Sequence, residues 1–384
     1  MSEVTRTAAR EARPGIAYVV NALNAGGTER LVVDMSRAFA REFDLSVICL
    51  DEPGAWGQAL RADGIPVHCV WRQPGLDFSM ARKLARLFRA AGTRIVHAHQ
   101  CTPWFYAALA RLRHGAPKLL LEEHGRFYPE VRNRKRAFVN RALIRPLTHR
   151  FVAVSEDVRQ RLAAYEGLDA AQIRVIYNGV TPPAELGSAA RTALRANLAI
   201  APGEFVVGTV GRFDSIKNLP MLVGSLAAVI KQDPRVRGLL VGDGPEMARI
   251  RALIAGLGLH ERITLTGYRD DARQLAQCMD LFVLSSFSEG TSMALLEAMS
   301  AGVPVAVTAV GGNPEIVTAG ETGWVVASDD VMALAAAITE AGRDGSLRQQ
   351  RAAAGRQRFH DRFLFSRMLD HYRELYREML AQPS

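Results

Sequence analysis

The chain has 384 residues, 48% of them hydrophobic and 23% charged, with a formal net charge of +9 and a mean hydropathy of +0.01. That length exceeds what a single hydrophobic core fills, so two domains of roughly 180 residues are expected. No apolar run approaches the roughly 20 residues that cross a bilayer, and the four scattered cysteines form neither a disulfide framework nor a metal-type spacing.

Residues 1–14 are polar, mixed in charge and without an apolar h-region, and read as a disordered lead-in rather than a signal peptide. Cys49, Cys69 and two further cysteines, Cys101 and Cys278, lie apart, mostly in or beside apolar runs, and read as reduced core thiols of a cytoplasmic protein. The charge is uneven: residues 1–185 hold 27 Lys and Arg against 18 Asp and Glu, whereas residues 186–384 hold 21 of each. Within the first half, residues 126–150 carry eight cations and one acid, Glu130. Such a patch attracts phosphates, nucleic acid or an anionic membrane surface, or is simply a solvated helix face.

In chain order, IAYVV (16–20), LSVICL (45–50), VHCVW (67–71), RIVHA (94–98), KLLLE (118–122) and FVAV (151–154) read as strands. Helical patterns with apolar residues three and four apart lie between them. The alternation resumes with FVVGTV (205–210), GLLV (238–241), RITL (262–265), DLFVL (280–284) and VPVAV (303–307). Strand–helix alternation implies parallel sheets covered by helices, so the expected fold is α/β with two doubly wound, Rossmann-like domains. The expected boundaries are 15–185 and 186–363, with the seam in NGVTPPAELGSAA (178–190). Residues 364–384 form an amphipathic helix whose stripe of Met368, Tyr372, Leu375 and Met379 needs a partner surface.

Ligands of open α/β sheets bind beyond the carboxyl ends of the strands. After the first strand comes Gly26-Gly27, where the backbone can approach a ligand and a helix start offers free N–H groups. After strand 205–210 comes GRFDSIKN, whose Arg212 and Lys217 suit a diphosphate clamp. After strand 280–284, the run SSFSEGTSMALLEAMSAGVPV places Glu289 in the loop and Glu297 in the helix that starts near Thr291-Ser292. Two acids in an apolar stretch without a neighbouring cation need donors, and hydroxyls of a sugar or ribose would serve, as would an arginine from elsewhere. His97 and His99 share one face of their strand by period two, without a third metal ligand nearby in sequence. His124 follows a strand end directly and is expected in the cleft. Neither a Walker A motif nor H-E-x-x-H, G-x-S-x-G or D-x-D occurs, and Met247 stands where the third glycine after Gly242 and Gly244 would complete a dinucleotide fingerprint.

With VHAH, EHG, YNGV, VGRFDSIKN, LLVGDGPE and SEGTSMALLEAMSAGVPVAVTAVGGNPEIV assembled, the chain resembles the retaining, nucleotide-sugar-dependent glycosyltransferases of GT-B fold, family 4, from about residue 15 onward. The resemblance implies two Rossmann-like domains facing each other across a cleft, with the last helix packing back on the first. It implies that Arg212 and Lys217 hold the donor's diphosphate, Glu297 the ribose and Glu289 the transferred sugar. Backbone N–H groups of Gly290, Thr291, Ser292 and Met293 would touch sugar and phosphate, Gly26 and Gly27 would close over the diphosphate, and His124 would reach the sugar near the reaction centre. The backbone of Tyr268 and Arg269 would meet the base, and His99 and Arg126 are acceptor-side candidates. Where many members have an aromatic residue and a glycine, this chain has Thr291-Ser292-Met293, which leaves the donor sugar open. The expected activity is hexosyl transfer, most simply from a UDP-sugar, to a glycan or lipid-linked acceptor in cell-surface polysaccharide synthesis, without metal or other cofactor. The protein is expected in the cytoplasm or peripherally on the inner membrane face, with residues 126–150 meeting anionic lipid and no nucleic-acid partner. A nucleotide-sugar 2-epimerase of the same fold and a non-catalytic polyanion binder are the alternatives.

Overall fold

A computed structural model describes residues 13–24, 26–114, 117–125 and 133–382. Seven parallel strands make the first sheet: β1 (Gly15–Ala22), β2 (Asp44–Glu52), β3 (Val67–Cys69), β4 (Thr93–His99), β5 (Lys118–Glu123), β6 (Arg150–Ala153) and β7 (Ile173–Val175). Six make the second: β8 (Phe205–Val210), β9 (Val236–Val241), β10 (Ile263–Leu265), β11 (Leu281–Leu284), β12 (Val305–Thr308) and β13 (Trp324–Val326). Their orders, β3-β2-β1-β4-β5-β6-β7 and β10-β9-β8-β11-β12-β13, reverse direction between β1 and β4 and between β8 and β11. Those reversals open the crevices in which doubly wound sheets take ligands. The loops leaving β1, β8 and β11 are the ones that carry Gly26-Gly27, Arg212 with Lys217, and Glu289. This is the expected two-sheet GT-B architecture.

Each sheet is sandwiched between two apolar layers. β7 and β13, which the hydrophobic runs did not announce, are three-residue edge strands with only their first residue buried. The last helix, Phe365–Ala381, lays Met368, Tyr372, Leu375, Tyr376 and Met379 against β1 and β4 and becomes part of the first domain's core. Burying side chains of this size stabilises by about 1.5–3 kcal/mol each, so the helix belongs to the first domain although it follows the second. Polar pins fix its register: Tyr18 and Tyr376 hydroxyls lie 3.1 Å apart, and Lys118 Nζ donates to Met379 O at 2.6 Å.

The chain therefore crosses between the domains twice, and the two crossings run side by side. Val180 N donates to Phe363 O at 3.1 Å, and Phe365 N to Val180 O at 3.1 Å. A Cβ on Gly179 would sit 2.6 Å from Leu364 O, which accounts for the glycine of YNGV. Among the described residues, no helix is long and apolar enough to cross a membrane.

Candidate active site

On the second domain's side, the loops after β8 and β11 are tied together before any ligand is considered. Ser285 Oγ donates to Lys217 O at 3.0 Å, and Phe287 N to Ile216 O at 2.8 Å. Lys217 Nζ then lies 2.6 Å from Glu289 Oε1, and Ser286 Oγ donates to the same oxygen at 2.5 Å. Glu297 is likewise paired: Arg273 approaches its Oε1 with Nε at 2.7 Å and Nη2 at 2.6 Å. Burial pushes the Glu297 carboxyl up, and Arg273 opposes that shift. Both acids of the apolar run thus have cationic partners, which come from other segments and not from the run itself. For Glu297 this is the arginine from elsewhere that the sequence leaves open, without identifying it as Arg273.

The helix Met293–Ser300 starts where expected, with Ser292 Oγ accepting from Leu295 N. Thr291 Oγ1 donates to Val154 O in the first domain, and Asn178 Nδ2 donates to Thr291 O at 3.3 Å. Two of the three side chains in the Thr291-Ser292-Met293 triplet are therefore occupied by the domain contact and the helix cap. Met293 alone of the three reaches the cleft, where a Cβ on Gly27 would lie 3.6 Å from its Cγ. Gly27 opens the first domain's helix Gly27–Phe39, with Gly26 as its extended N-cap. Glu29 curls back so far that a Cβ on Gly26 would stand 2.2 Å from its Oε2. Burial raises the Glu29 carboxyl, and Arg212 across the cleft works against that shift. The Arg212 side chain is mostly exposed, with Nε 3.1 Å from Asp214.

Glycines let three backbone layers stack where the domains meet. A Cβ on Gly290 would lie 2.1 Å from His124 O, and one on Gly312 would lie 2.0 Å from Gly290 O. Gly311, at φ 53°, is pressed equally close to Glu289 O. His124, Gly290 and Gly312 thus form one column from the first domain into the second. Behind His124 lies a fully buried cluster. His97 Nε2 is 2.8 Å from Glu122 Oε2, His99 Nδ1 is 3.2 Å from the same atom, and His124 Nε2 is 3.6 Å from Oε1. Burial pushes the His99 and His124 imidazoles down to about 4, so they are neutral at pH 7.

Among the described residues, His97, His99 and Glu122 are the group whose ligand atoms come close enough for a metal ion, Glu122 being the third member that sequence spacing did not reveal. The rings of His97 and His99 are stacked, 4.1 Å between centroids and 26° between planes. An imidazole binds metal along a lone pair in its own plane, and stacked rings do not aim two such lone pairs at one point. The cluster fits proton sharing better than coordination. His99, the acceptor-side candidate, is packed behind His124 with its side chain 1% exposed, because the rings of Tyr18, His97 and His124 close around it. Arg126 lies outside the described residues. Tyr268 is exposed and Arg269 is paired with Asp271 at 2.7 Å, both at the open rim beyond β10.

The Gly242-Asp243-Gly244 turn has a structural purpose. At φ 141° and 159°, these glycines let the loop after β9 lie directly on the backbone of Gly211 and Phe213. Close packing of two loops, and not a dinucleotide, accounts for this partial fingerprint.

Two family models match in tandem: residues 25–182 fit Glycosyltransferase Family 4, and residues 190–358 fit Glycosyl transferases group 1. The chain belongs to the group 1 glycosyltransferases. Among relatives of this glycosyltransferase, N-acetyl-alpha-D-glucosaminyl L-malate synthase of Bacillus anthracis is 26% identical over 331 residues, 82% of either chain. A D-inositol 3-phosphate glycosyltransferase of Nocardia farcinica is 36% identical over 184 residues, 45% of this chain and 40% of that one. The solved structure of Anabaena Alr3699/HepE in complex with UDP superposes with a TM-score of 0.84 at 23% identity, covering 95% of this chain and all of that one. A glycosyltransferase from Rickettsia africae gives 0.84 at 23%, covering 97% and 100%.

The glycosyltransferase also holds its cleft together with a residue that its sequence pattern left unassigned. Glu315, in the GGNPE tail, accepts from Glu156 N at 2.8 Å and Asp157 N at 2.9 Å, and Tyr177 Oη donates to it at 2.8 Å. An acid from the second domain thus caps a helix of the first, where the free N–H groups and dipole favour negative charge. Arg273 and Glu315 leave almost no trace in the sequence because each acts on residues distant in the chain. The Pro-Glu pair just inside a four-residue helix was the one visible hint of Glu315.

Proposed function

We propose that this glycosyltransferase transfers a hexose-type sugar from a nucleotide diphosphate sugar, most simply a UDP-sugar, to a hydroxyl of a glycan or lipid-linked acceptor, with retention at the anomeric carbon and without a metal. The observation that carries this reading is the contact of Lys217 with Glu289 beneath the Gly290–His124 column. It puts a cation for the diphosphate and an acceptor for sugar hydroxyls within one hydrogen bond of each other, at the crevice of a doubly wound sheet. The UDP and glucose named in the complexes of the structural neighbour HepE support the same donor class.

In this reading Arg212 and Lys217 receive the diphosphate together with the helix ends at Gly27 and Met293. As the bond from the anomeric carbon to the β-phosphate oxygen breaks, negative charge gathers on the phosphate and the sugar becomes oxocarbenium-like. Preorganised cations and N–H groups stabilise that charge, each worth roughly 3 kcal/mol by analogy with oxyanion donors. The acceptor oxygen attacks from the face the phosphate leaves, and its proton passes to the departing phosphate. Glu289 orients sugar hydroxyls, Glu297 takes the ribose hydroxyls, and His124 faces the sugar from the first domain. The Glu29 carboxylate, curled over the helix start, gives way to the diphosphate.

The acceptor side is proposed to lie near an anionic membrane. Helix Arg134–Val139 and the turn after it expose Phe138, Val139 and Leu143 beside Arg134 and Lys135. Apolar tips among cations suit an anionic lipid surface. A panel of nucleotide sugars read by thermal shift and by hydrolysis tests the donor reading. Stabilisation by UDP-sugars together with slow release of UDP is expected, and indifference to every nucleotide sugar would overturn it.

A further inference from the structure

Glu122 has no part in the reading above, yet among the described residues it is the carboxylate on which three imidazoles and the last helix converge. It sits two residues before His124 on β5, facing His97 and His99 of β4, and is fully buried. The hydroxyl of Tyr372, from the last helix, lies close enough to act on it electrostatically. Burial alone would keep Glu122 protonated, but His124, His97 and His99 outweigh burial and hold its carboxyl well below the usual range. The alignment of these contacts is imperfect: among the described residues, neither carboxylate oxygen has a partner of good hydrogen-bond directionality. Electrostatic proximity, more than directional bonding, is what the cluster offers.

That proximity settles where the protons lie. His97 Nδ1 is 2.7 Å from Tyr376 Oη, which is 3.1 Å from Tyr18 Oη. With the carboxylate at 2.8 Å from His97 Nε2, the self-consistent order is Tyr18 donating to Tyr376, Tyr376 to His97 Nδ1, and His97 Nε2–H to Glu122. The His99 and His124 rings hydrogen-bond to each other, His99 Nδ1 to His124 Nε2 at 3.0 Å, and only one of these nitrogens carries the shared hydrogen. A lone pair on His99 Nδ1 would face Glu122 Oε2 at 3.2 Å, whereas one on His124 Nε2 faces Oε1 at 3.6 Å, so the stronger repulsion puts the hydrogen on His99. The lone pair then belongs on His124 Nε2, because which imidazole nitrogen is protonated follows from what the other one meets. The remaining hydrogen of His124 must sit on Nδ1, a buried atom with no partner among the described residues, on the residue whose carbonyl touches Gly290.

We infer that Glu122 is a positioning residue that sets the tautomer of His124, so that His124 offers Nδ1–H as a donor to the bound sugar. The inference rests on the reading that His124 faces the donor sugar, but the tautomer itself is measurable without turnover. The tyrosines of the last helix complete the device, since Tyr372 reaches the carboxylate and Tyr376 fixes His97.

The test is long-range proton–nitrogen NMR of the full chain with 15N-labelled histidine, the His124 signals being assigned by their loss in His124→Gln. His124 is expected to be neutral, protonated on Nδ1 and bare on Nε2. In Glu122→Gln an amide replaces the carboxylate, and the His124 pattern is expected to reverse or become mixed. The kcat for sugar transfer should then fall roughly 10- to 100-fold, with the donor KM changed much less, as for other residues that act by orienting a functional ligand. Tyr372→Phe, which removes one hydroxyl and keeps the ring, should move the His124 signals the same way by less, and it serves if Glu122→Gln does not fold. A wild-type His124 protonated on Nε2, an unchanged pattern in Glu122→Gln, or one equivalent of zinc in the purified chain by elemental analysis would each overturn the inference. A reversed tautomer with undiminished kcat would uphold Glu122's control of the ring and overturn instead the role of His124 at the sugar.

Discussion

Glu315 Oε1 accepts a hydrogen bond from Asp157 N at 2.9 Å, so a carboxylate of the second domain closes the end of a helix in the first. The contact lies beside the Gly312–Gly290–His124 column and joins the domains at the depth of the cleft. Replacing Glu315 by Ala is expected to remove about 1 kcal/mol of cap stabilisation. It should also loosen the closed arrangement, raising the donor KM and the radius of gyration in small-angle scattering. A variant with wild-type KM and scattering would show that the cap does not govern closure.

Lys217 and Glu289 are expected to be the most sensitive pair in the cleft. Lys217→Ala and Glu289→Ala should each lower turnover about 100-fold or more. Circular dichroism should stay native, because both side chains sit at the loop edge and not in a core. Near-normal rates in folded variants would falsify the placement of the donor.

Glu297 must be ionised to accept hydroxyl donors, and burial raises its carboxyl above an ordinary glutamate's range. Donor affinity should therefore begin to fall, on acidification, at a higher pH than an ordinary glutamate would dictate. Glu297→Gln should bind the donor more weakly and lose that pH dependence. Isothermal titration with UDP across the acidic range reads both, and a variant that kept the wild-type profile would place the titrating group elsewhere.

Burial also pushes His149 down to about 4, alongside His99 and His124. Between that value and about 6.5, where free histidine titrates, the unfolded chain binds more protons than the folded one. Stability from these groups is thus complete above about pH 6.5 and is lost as the pH falls toward 4. The thermal midpoint should drop steadily over that interval, and less steeply in His149→Asn. A midpoint that stays flat down to pH 5 would contradict this.

At the acceptor side, Phe138→Ser combined with Arg134→Gln and Lys135→Gln should reduce co-sedimentation with vesicles containing phosphatidylglycerol. It should leave hydrolysis of the donor in solution untouched. If the wild-type chain sediments equally with neutral vesicles, anionic lipid is not the partner.

Much of this architecture was legible because local rules and the fold agree. Short β-branched runs such as FVVGTV became buried strands, and the Ser292 cap stands at the expected helix start. β7 and β13 were not legible, since three half-exposed residues at a sheet edge produce almost no hydrophobic pattern. In the cleft, residue types at strand ends pointed to Lys217, Glu289, Glu297 and His124. Their mutual arrangement was hidden, because Arg273 and Lys217 meet the two glutamates only through tertiary packing. His99 shows the converse limit: periodicity gave its strand face correctly, but could not show that the rings of Tyr18, His97 and His124 close around it.

The final helix has a further consequence, for biosynthesis. Tyr376 meets Tyr18 across 358 residues of chain, and the stripe from Met368 to Met379 is core for the first sheet. A ribosome making this protein releases that sheet early but its cover last. One apolar face of the first domain must therefore wait, open to chaperones or to misassociation, while the whole second domain is synthesised.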